Sequence, residues 1–300
     1  MSPRDWALLL TLSVLWGGSF FFVKLALADL PPLTVVLARV TIAAATLYVV
    51  VRTTGQALPR GRKAWWTLLV MAIVNNLIPF SLIFSGQTVI PSGLAAILNA
   101  TTPLFTVVVM HLFTSDEKAT PPKVAGLLLG FAGVVVLIGP AVTGALDTPV
   151  WALLACLAAA ISYAFSGLWG RRIKTLGIEP AVTAWGQVTL TMLMMLPIVA
   201  LLDRPWTLAS PSGTTILALL GLGILSTALA YVIFFKILAS AGPTNLMLVT
   251  FLIPVSAILL GSLVLGERLA WTHAVGMTLI GLGLAAIDGR LWKRLIARTA

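Results

Sequence analysis

Apolar residues in this chain run in long windows separated by short polar or Pro/Gly breaks. The windows predict ten spans, at 6–27, 33–51, 65–84, 92–113, 122–139, 150–169, 180–202, 214–235, 245–265 and 271–287. Their length makes them helices, because a membrane β-barrel would show alternating segments of about ten residues. Ala26-Leu27-Ala28 resembles a signal-peptide cleavage site, but the apolar stretch before it is too long and Lys24 interrupts it, so the first window is expected to stay as a span.

Composition turns these spans into a membrane protein. Of 300 residues 59% are hydrophobic and 9% charged, whereas a soluble domain carries about 25% charged residues to cover its surface. Ten spans of about 20 residues leave about 100 for loops and ends, with no room for a soluble domain. A cytoplasmic enzyme, a nucleic-acid binder and a disulfide scaffold are excluded, and the single Cys156 sits in an apolar run as a small core residue. The net charge of +10 is read as an orientation signal. With the N-terminus inside, 15 of the 19 basic residues face the cytoplasm, among them Arg52, Arg60, Arg62 and Lys63 in one loop and Arg171, Arg172 and Lys174 in another. This bias predicts that both termini are cytoplasmic.

The two halves repeat. Glu117 and Glu267, Gly126 and Gly276, and Gly133 and Gly283 are each 150 apart, and Pro103 and Pro254 are 151 apart. Trp16 matches Tyr163 and Lys24 matches Arg171 at offset 147, while Pro32 matches Pro180 at 148. The predicted units are residues 1–140 and 141–289, each with five spans, followed by a basic cytoplasmic tail at 290–300. An odd number of spans turns the second unit upside down, and inverted repeats mark secondary transporters that open a midplane site alternately to each side.

Polar residues inside the spans are candidates for that site, since they tend to face a bundle interior or cavity. Asn75 and Asn76 stand together in the third span with Pro79 one turn later. Two amides beside a proline-freed carbonyl suit a ligand bearing an amine and a carboxylate, or serve as structural amides between helices. Ser92, Ala95, Ala96, Asn99 and Pro103 form a small, partly polar face in the fourth span, and Pro254 occupies the matching place in the ninth. Pro79, Pro103 and Pro254 read as hinges. Trp16, Tyr163 and Trp185 lie deeper than the interfacial tryptophans and can stack a ring or hold an ammonium; Tyr231 also lies within a span. Lys24 and Arg39 either snorkel to the outer surface or pair with Asp29 or Glu267, or they attract a substrate carboxylate. Arg39 matches the neutral Gln187 in the repeat, so it is the cation without a counterpart. His111 has no acidic or metal-ligand partner at local spacing and reads as capped or solvated.

No HExxH, GxSxG or Walker A sequence occurs, and no acidic residue lies deep in a span. Catalytic residues, a metal site and a cofactor are therefore not expected, and the carboxylate exchange site of a proton/cation antiporter is missing. The substrate should be neutral, zwitterionic or anionic.

The five-plus-five spans, the WGGSF stretch at 16–20, a proline in the fourth and ninth spans and the Gly-Glu at 266–267 resemble EamA-type members of the drug/metabolite transporter superfamily over nearly the whole chain. Within that family the chain looks most similar to the YddG-type exporters of aromatic amino acids, a bacterial inner-membrane group. The resemblance implies a ten-helix basket with a central cavity, amino-acid export and no ATP hydrolysis. The expected partners are a small-molecule substrate and membrane lipid, not nucleic acid, with the chain working as a monomer or homodimer. Alternatives are another small metabolite such as a nucleotide sugar or organic anion, or a membrane-embedded enzyme or lipid-binding scaffold.

Overall fold

A computed structural model describes residues 2–144, 147–246 and 248–288. The basic tail at 290–300 lies outside the described residues. Among them, eight helices are long and apolar enough to cross a membrane, and two shorter apolar ones follow. We label them α1 (Pro3–Ala26), α2 (Pro32–Thr53), α3 (Arg62–Gln87), α4 (Ser92–Phe113), α5 (Pro121–Val142), α6 (Val150–Thr175), α7 (Pro180–Leu202), α8 (Gly213–Gly242), α9 (Val249–Leu265) and α10 (Trp271–Asp288).

Helix starts follow local chemistry. Proline opens α1, α2, α5 and α7 at the first turn, where its missing N–H costs nothing. Ser2 and Asp5 bond reciprocally as a capping box, and Asp5 also accepts from Ser240 Oγ at 2.7 Å, tying the start of α1 to α8. Each sequence window falls on a described apolar helical stretch, but several ends differ. α6 continues past the expected 169 through Arg171 and Arg172 to Thr175, because these long polar side chains are good helix formers beyond the apolar limit. α3 spans Arg62–Gln87 against 65–84 for the same reason. α9 starts at Val249 rather than at 245, because α8 ends in a kink at the non-helical Gly242 (φ 79°) and the short helical stretch beyond it stops at Leu246.

Two helices change pitch in mid-course. Residues Ile73–Leu77 of α3 and Gly221–Leu229 of α8 are π-helical. In α3 the Ile78 N–H reaches back to the Ile73 carbonyl, and Pro79 follows immediately. In α8 the Thr227 hydroxyl donates to the Leu222 carbonyl at 2.8 Å, satisfying a group that the wider turn frees. Such segments put side chains off the regular helical register and are frequent at functional sites.

Packing pairs the helices across the two halves. α2 packs on α7, α4 on α9 and α5 on α10; α1 packs on α9 as α6 does on α4; α3 packs on α6 and α7 as α8 does on α1 and α2. α5 and α10 cross through glycines: a Cβ added at Gly126 would sit 2.5 Å from the Gly283 carbonyl oxygen, and one at Gly133 would sit 2.7 Å from that of Gly276. Only residues without a Cβ allow this approach. α1 meets α9 the same way, with Gly17 against Ser256 and the Ser13 and Ser256 hydroxyls 3.3 Å apart.

Candidate functional site

The π-segment of α3 aims Asn75 at the second half. Asn75 Nδ2 donates to Gln187 Oε1 of α7 at 3.1 Å and to the Tyr231 hydroxyl of α8 at 3.3 Å. Gln187 Nε2 donates to the same hydroxyl at 3.2 Å, and Ser166 Oγ of α6 donates to Asn75 Oδ1 at 3.0 Å. Asn75 is at the middle of the 26-residue helix Arg62–Gln87, so this network sits far from either helix end. Ser162 Oγ adds a bond to the Val74 carbonyl at 2.7 Å, taking up a backbone acceptor beside the π-segment.

Asn76 turns away from this cluster. It is fully buried, with Nδ2 3.4 Å from Thr191 Oγ1 of α7, and its Oδ1 has no partner among the described residues. Thr191 in turn donates to the Gln187 and Ala72 carbonyls. The two neighbouring amides thus divide the work: Asn75 joins the central network and Asn76 joins α3 to α7. Asn99 stands apart, where α4 breaks between Asn99 and Thr102; its Oδ1 is buried without a hydrogen bond among the described residues.

Arg39 of α2 does not snorkel. It is 7% exposed, its Nε donates to Thr227 Oγ1 at 2.9 Å, and its guanidinium lies 3.8 Å from the centre of the Phe80 ring. The π-segments therefore serve both central polar groups: that of α3 presents Asn75 to Gln187, and that of α8 presents Thr227 to Arg39. Tyr163 lies one turn before Ser166 on α6, its carbonyl accepting the Ser166 hydroxyl at 2.7 Å, and Tyr231 lies one turn after Thr227 on α8. Lys24 is engaged differently. Its Nζ donates to the Gln87 and Ile90 carbonyls at 2.9 and 3.2 Å, at the end of α3, with Glu267 within electrostatic reach. Glu267 itself accepts from the Ser92 N–H and hydroxyl and so caps α4. Asp29, the other carboxylate expected to pair with Lys24 or Arg39, instead accepts from the Ser212 N–H at 2.8 Å and the Thr215 hydroxyl at 2.7 Å. These bonds hold the Asp29 carboxyl below the usual carboxylate range.

Aromatic rings extend from the network. Tyr231 stacks on Phe235, which meets Phe234 edge-on, and Phe234 lies 5.6 Å from Trp16. Trp185 is elsewhere, with Tyr48 and Trp65 near the ends of α2 and α3. Pro79 sits beside the α3 π-segment, Pro103 begins the second piece of α4 and Pro254 lies inside α9. His111 accepts from the Ala119 N–H, a cap at the loop. Two clefts of about 210 and 190 Å³ lie between α4, α9 and α10, with mostly apolar linings that include neither Arg39 nor the network. Volume does not locate the site here; the convergence of polar groups does.

Gln187, Ser166, Thr227 and Phe80 were not singled out in the sequence as site residues. Gln187 with Thr191, and Ser162 with Ser166, are polar pairs four residues apart in apolar helices, a face signal readable without a structure. Thr227 is likewise four residues before Tyr231, whereas Phe80 left no such sign.

A solved crystal structure of a protein superposes with a TM-score of 0.69 at 21% identity, covering 99% of both chains, which shows the fold alone. The "Probable amino-acid metabolite efflux pump" of Escherichia coli K12 is 26% identical over 99% of each chain. YedA, an uncharacterized inner membrane transporter of the same strain, is 28% identical over 87% of this chain and 83% of its own, and the uncharacterized transporter YoaV of Bacillus subtilis is 24% identical over 92% and 94%. The EamA-like transporter family model matches twice, at residues 6–139 and 150–287, so this multi-pass membrane chain belongs to the EamA-like transporter family.

Proposed function

We propose that this chain is a secondary transporter that exports amino acids, aromatic and other neutral ones, across the inner membrane by alternating access. Ten spans form two inverted five-helix repeats, 1–140 and 141–289, with both termini cytoplasmic. The observation that carries the reading is the Asn75–Gln187–Tyr231–Ser166 network, which joins the third helix of one repeat to three helices of the other at mid-length. A site at that seam faces each side in turn when the repeats rock against one another.

Support for the inversion comes from packing. Gly126 and Gly276 are repeat equivalents, as are Gly133 and Gly283, and the contacts run Gly126 to Gly283 and Gly133 to Gly276. A two-fold axis in the membrane plane exchanges those two contacts, and the pairing of α1–α9 with α6–α4 follows the same axis. The family model's double match also fits two equivalent halves. Support for amino acids comes from the donors and acceptors of the network, the ring series from Tyr231 to Trp16, and the name of the E. coli efflux relative. Among the described residues no group of three or more His, Cys, Asp or Glu could hold a metal ion.

The test is counterflow in proteoliposomes. Purified protein in vesicles loaded with each of the 20 amino acids should accumulate the same labelled amino acid above protein-free vesicles, for neutral members first. Absence of counterflow for all 20 would overturn the reading.

A further inference from the structure

Arg39 is a buried cation that pairs with no carboxylate among the described residues. The ion pairs among the described residues join Arg171, the repeat match of Lys24, to Asp116 and Glu117. Arg39 has no such carboxylate. Its guanidinium carries five N–H donors, and only Nε has a partner, Thr227 Oγ1. The terminal nitrogens donate to nothing among the described residues. A cation at membrane depth is expensive unless it meets a partner or a water-filled cavity.

The group is nonetheless held in place. Thr227 is itself fixed by its bond to the Leu222 carbonyl in the π-segment of α8, so the Nε contact sets the rotation of the guanidinium. Phe80 covers one face of the plane at 3.8 Å, with Phe84 beyond it at 5.7 Å. What stays available is the edge bearing the terminal nitrogens, the edge that takes a carboxylate with two parallel bonds. Thr227, which holds the guanidinium, stands one turn before Tyr231 on α8, and Tyr231 belongs to the amide network, so the cation and the network form one site.

We infer that Arg39 binds the carboxylate of the transported molecule, with Asn75 and Gln187 offering carbonyl oxygens to its ammonium group. The inference rests on the amino-acid transport reading and deepens it: the substrate is a free α-amino acid, not its amide, ester or amine. The repeat sharpens the assignment. Lys24 spends its donors on the Gln87 and Ile90 carbonyls, and its repeat match Arg171 is ion-paired. Arg39 is matched by Gln187, so one half supplies a cation where the other supplies an amide, and a zwitterion needs both.

Counterflow of labelled L-phenylalanine and L-leucine, each competed by the unlabelled amino acid and by its carboxamide, separates the two ideas. Wild type should prefer acid over amide by about tenfold or more, the range of a hydrogen bond to a charged group. Arg39→Gln should weaken the acids and leave the amides unchanged, bringing the ratio near one. Arg39→Lys keeps the charge and loses the fork, and should give an intermediate ratio; it decides the matter if the Gln variant does not fold. An unchanged ratio in these variants, an equal loss for acid and amide, or no preference in wild type would overturn the role of Arg39 while leaving transport intact. Failure of both amino acids to move in wild type would instead overturn the amino-acid reading, and this inference with it.

Discussion

Asn75 makes three side-chain bonds, to Gln187, Tyr231 and Ser166. Replacing it with Leu keeps the approximate volume and removes all three. Hydrogen bonds between membrane helices average about 0.6 kcal/mol in double-mutant cycles, with a maximum of about 1.7, so Asn75→Leu should destabilise the fold by about 2 kcal/mol. Gln187→Leu removes the bond from Asn75 and its own donation to Tyr231. Because the two variants delete one shared bond, their sum counts it twice. The double variant should therefore be less destabilised than the sum, by about 0.6 kcal/mol at least. Reversible unfolding in mixed micelles with increasing dodecyl sulfate measures all four corners of the cycle, and counterflow on the same preparations should fall far more than a 2 kcal/mol change in folding implies. Additivity within about 0.3 kcal/mol would mean that Asn75 and Gln187 do not touch in the membrane, and the network would have to be abandoned.

At the α5–α10 crossing, a Cβ at Gly126 must gain about 0.9 Å, from 2.5 Å to the 3.4 Å of ordinary contact. Gly126→Ala should destabilise by about 1–3 kcal/mol, the usual range for overpacking, whereas Gly281→Ala, with nothing within 4 Å, should not; melting temperatures in detergent decide. The Asp116 carboxyl is held below the usual carboxylate range by the Arg171 guanidinium. A lowered carboxylate stabilises above its unfolded value and loses that contribution as pH falls through its folded one, so the acid limb of a melting curve should flatten in Asp116→Asn, and an unaltered limb would remove the pair from the account. Cysteines at Ala57 and Asp147 in a Cys156→Ala background should label from opposite sides of the membrane, inside and outside respectively. Labelling of both by an impermeant reagent outside intact cells would contradict the ten-span topology.

The helices were legible because lipid demands long apolar runs, and each window from 6–27 to 271–287 falls on helical residues, with window 92–113 broken between Asn99 and Thr102. Their ends were less legible, since hydropathy stops at the first charge while the backbone does not, as at Arg171 and Arg172 in α6. Asn75 stood out as a polar residue in an apolar span, but its partners Gln187 and Tyr231 lie 112 and 156 residues away, and no local spacing announces such a contact. The π-segments were equally silent, apart from Pro79 beside one of them. For Arg39 both snorkelling to the outer surface and attraction of a substrate carboxylate stayed open, because its depth along α2 was readable and the direction it faces was not. Phe80 and Thr227, which hold it inward, come from α3 and α8.

The central claim is that the network between the halves is the place where substrate sits. Ser166, bonded to Asn75, offers a reporter of similar size when changed to Cys in the Cys156→Ala background. In proteoliposomes, a small charged thiosulfonate should modify that cysteine through the aqueous path and stop counterflow. The transported amino acid should slow the modification in proportion to its occupancy, and its carboxamide should not. Modification at the same rate with and without saturating substrate would place the substrate elsewhere and contradict the account.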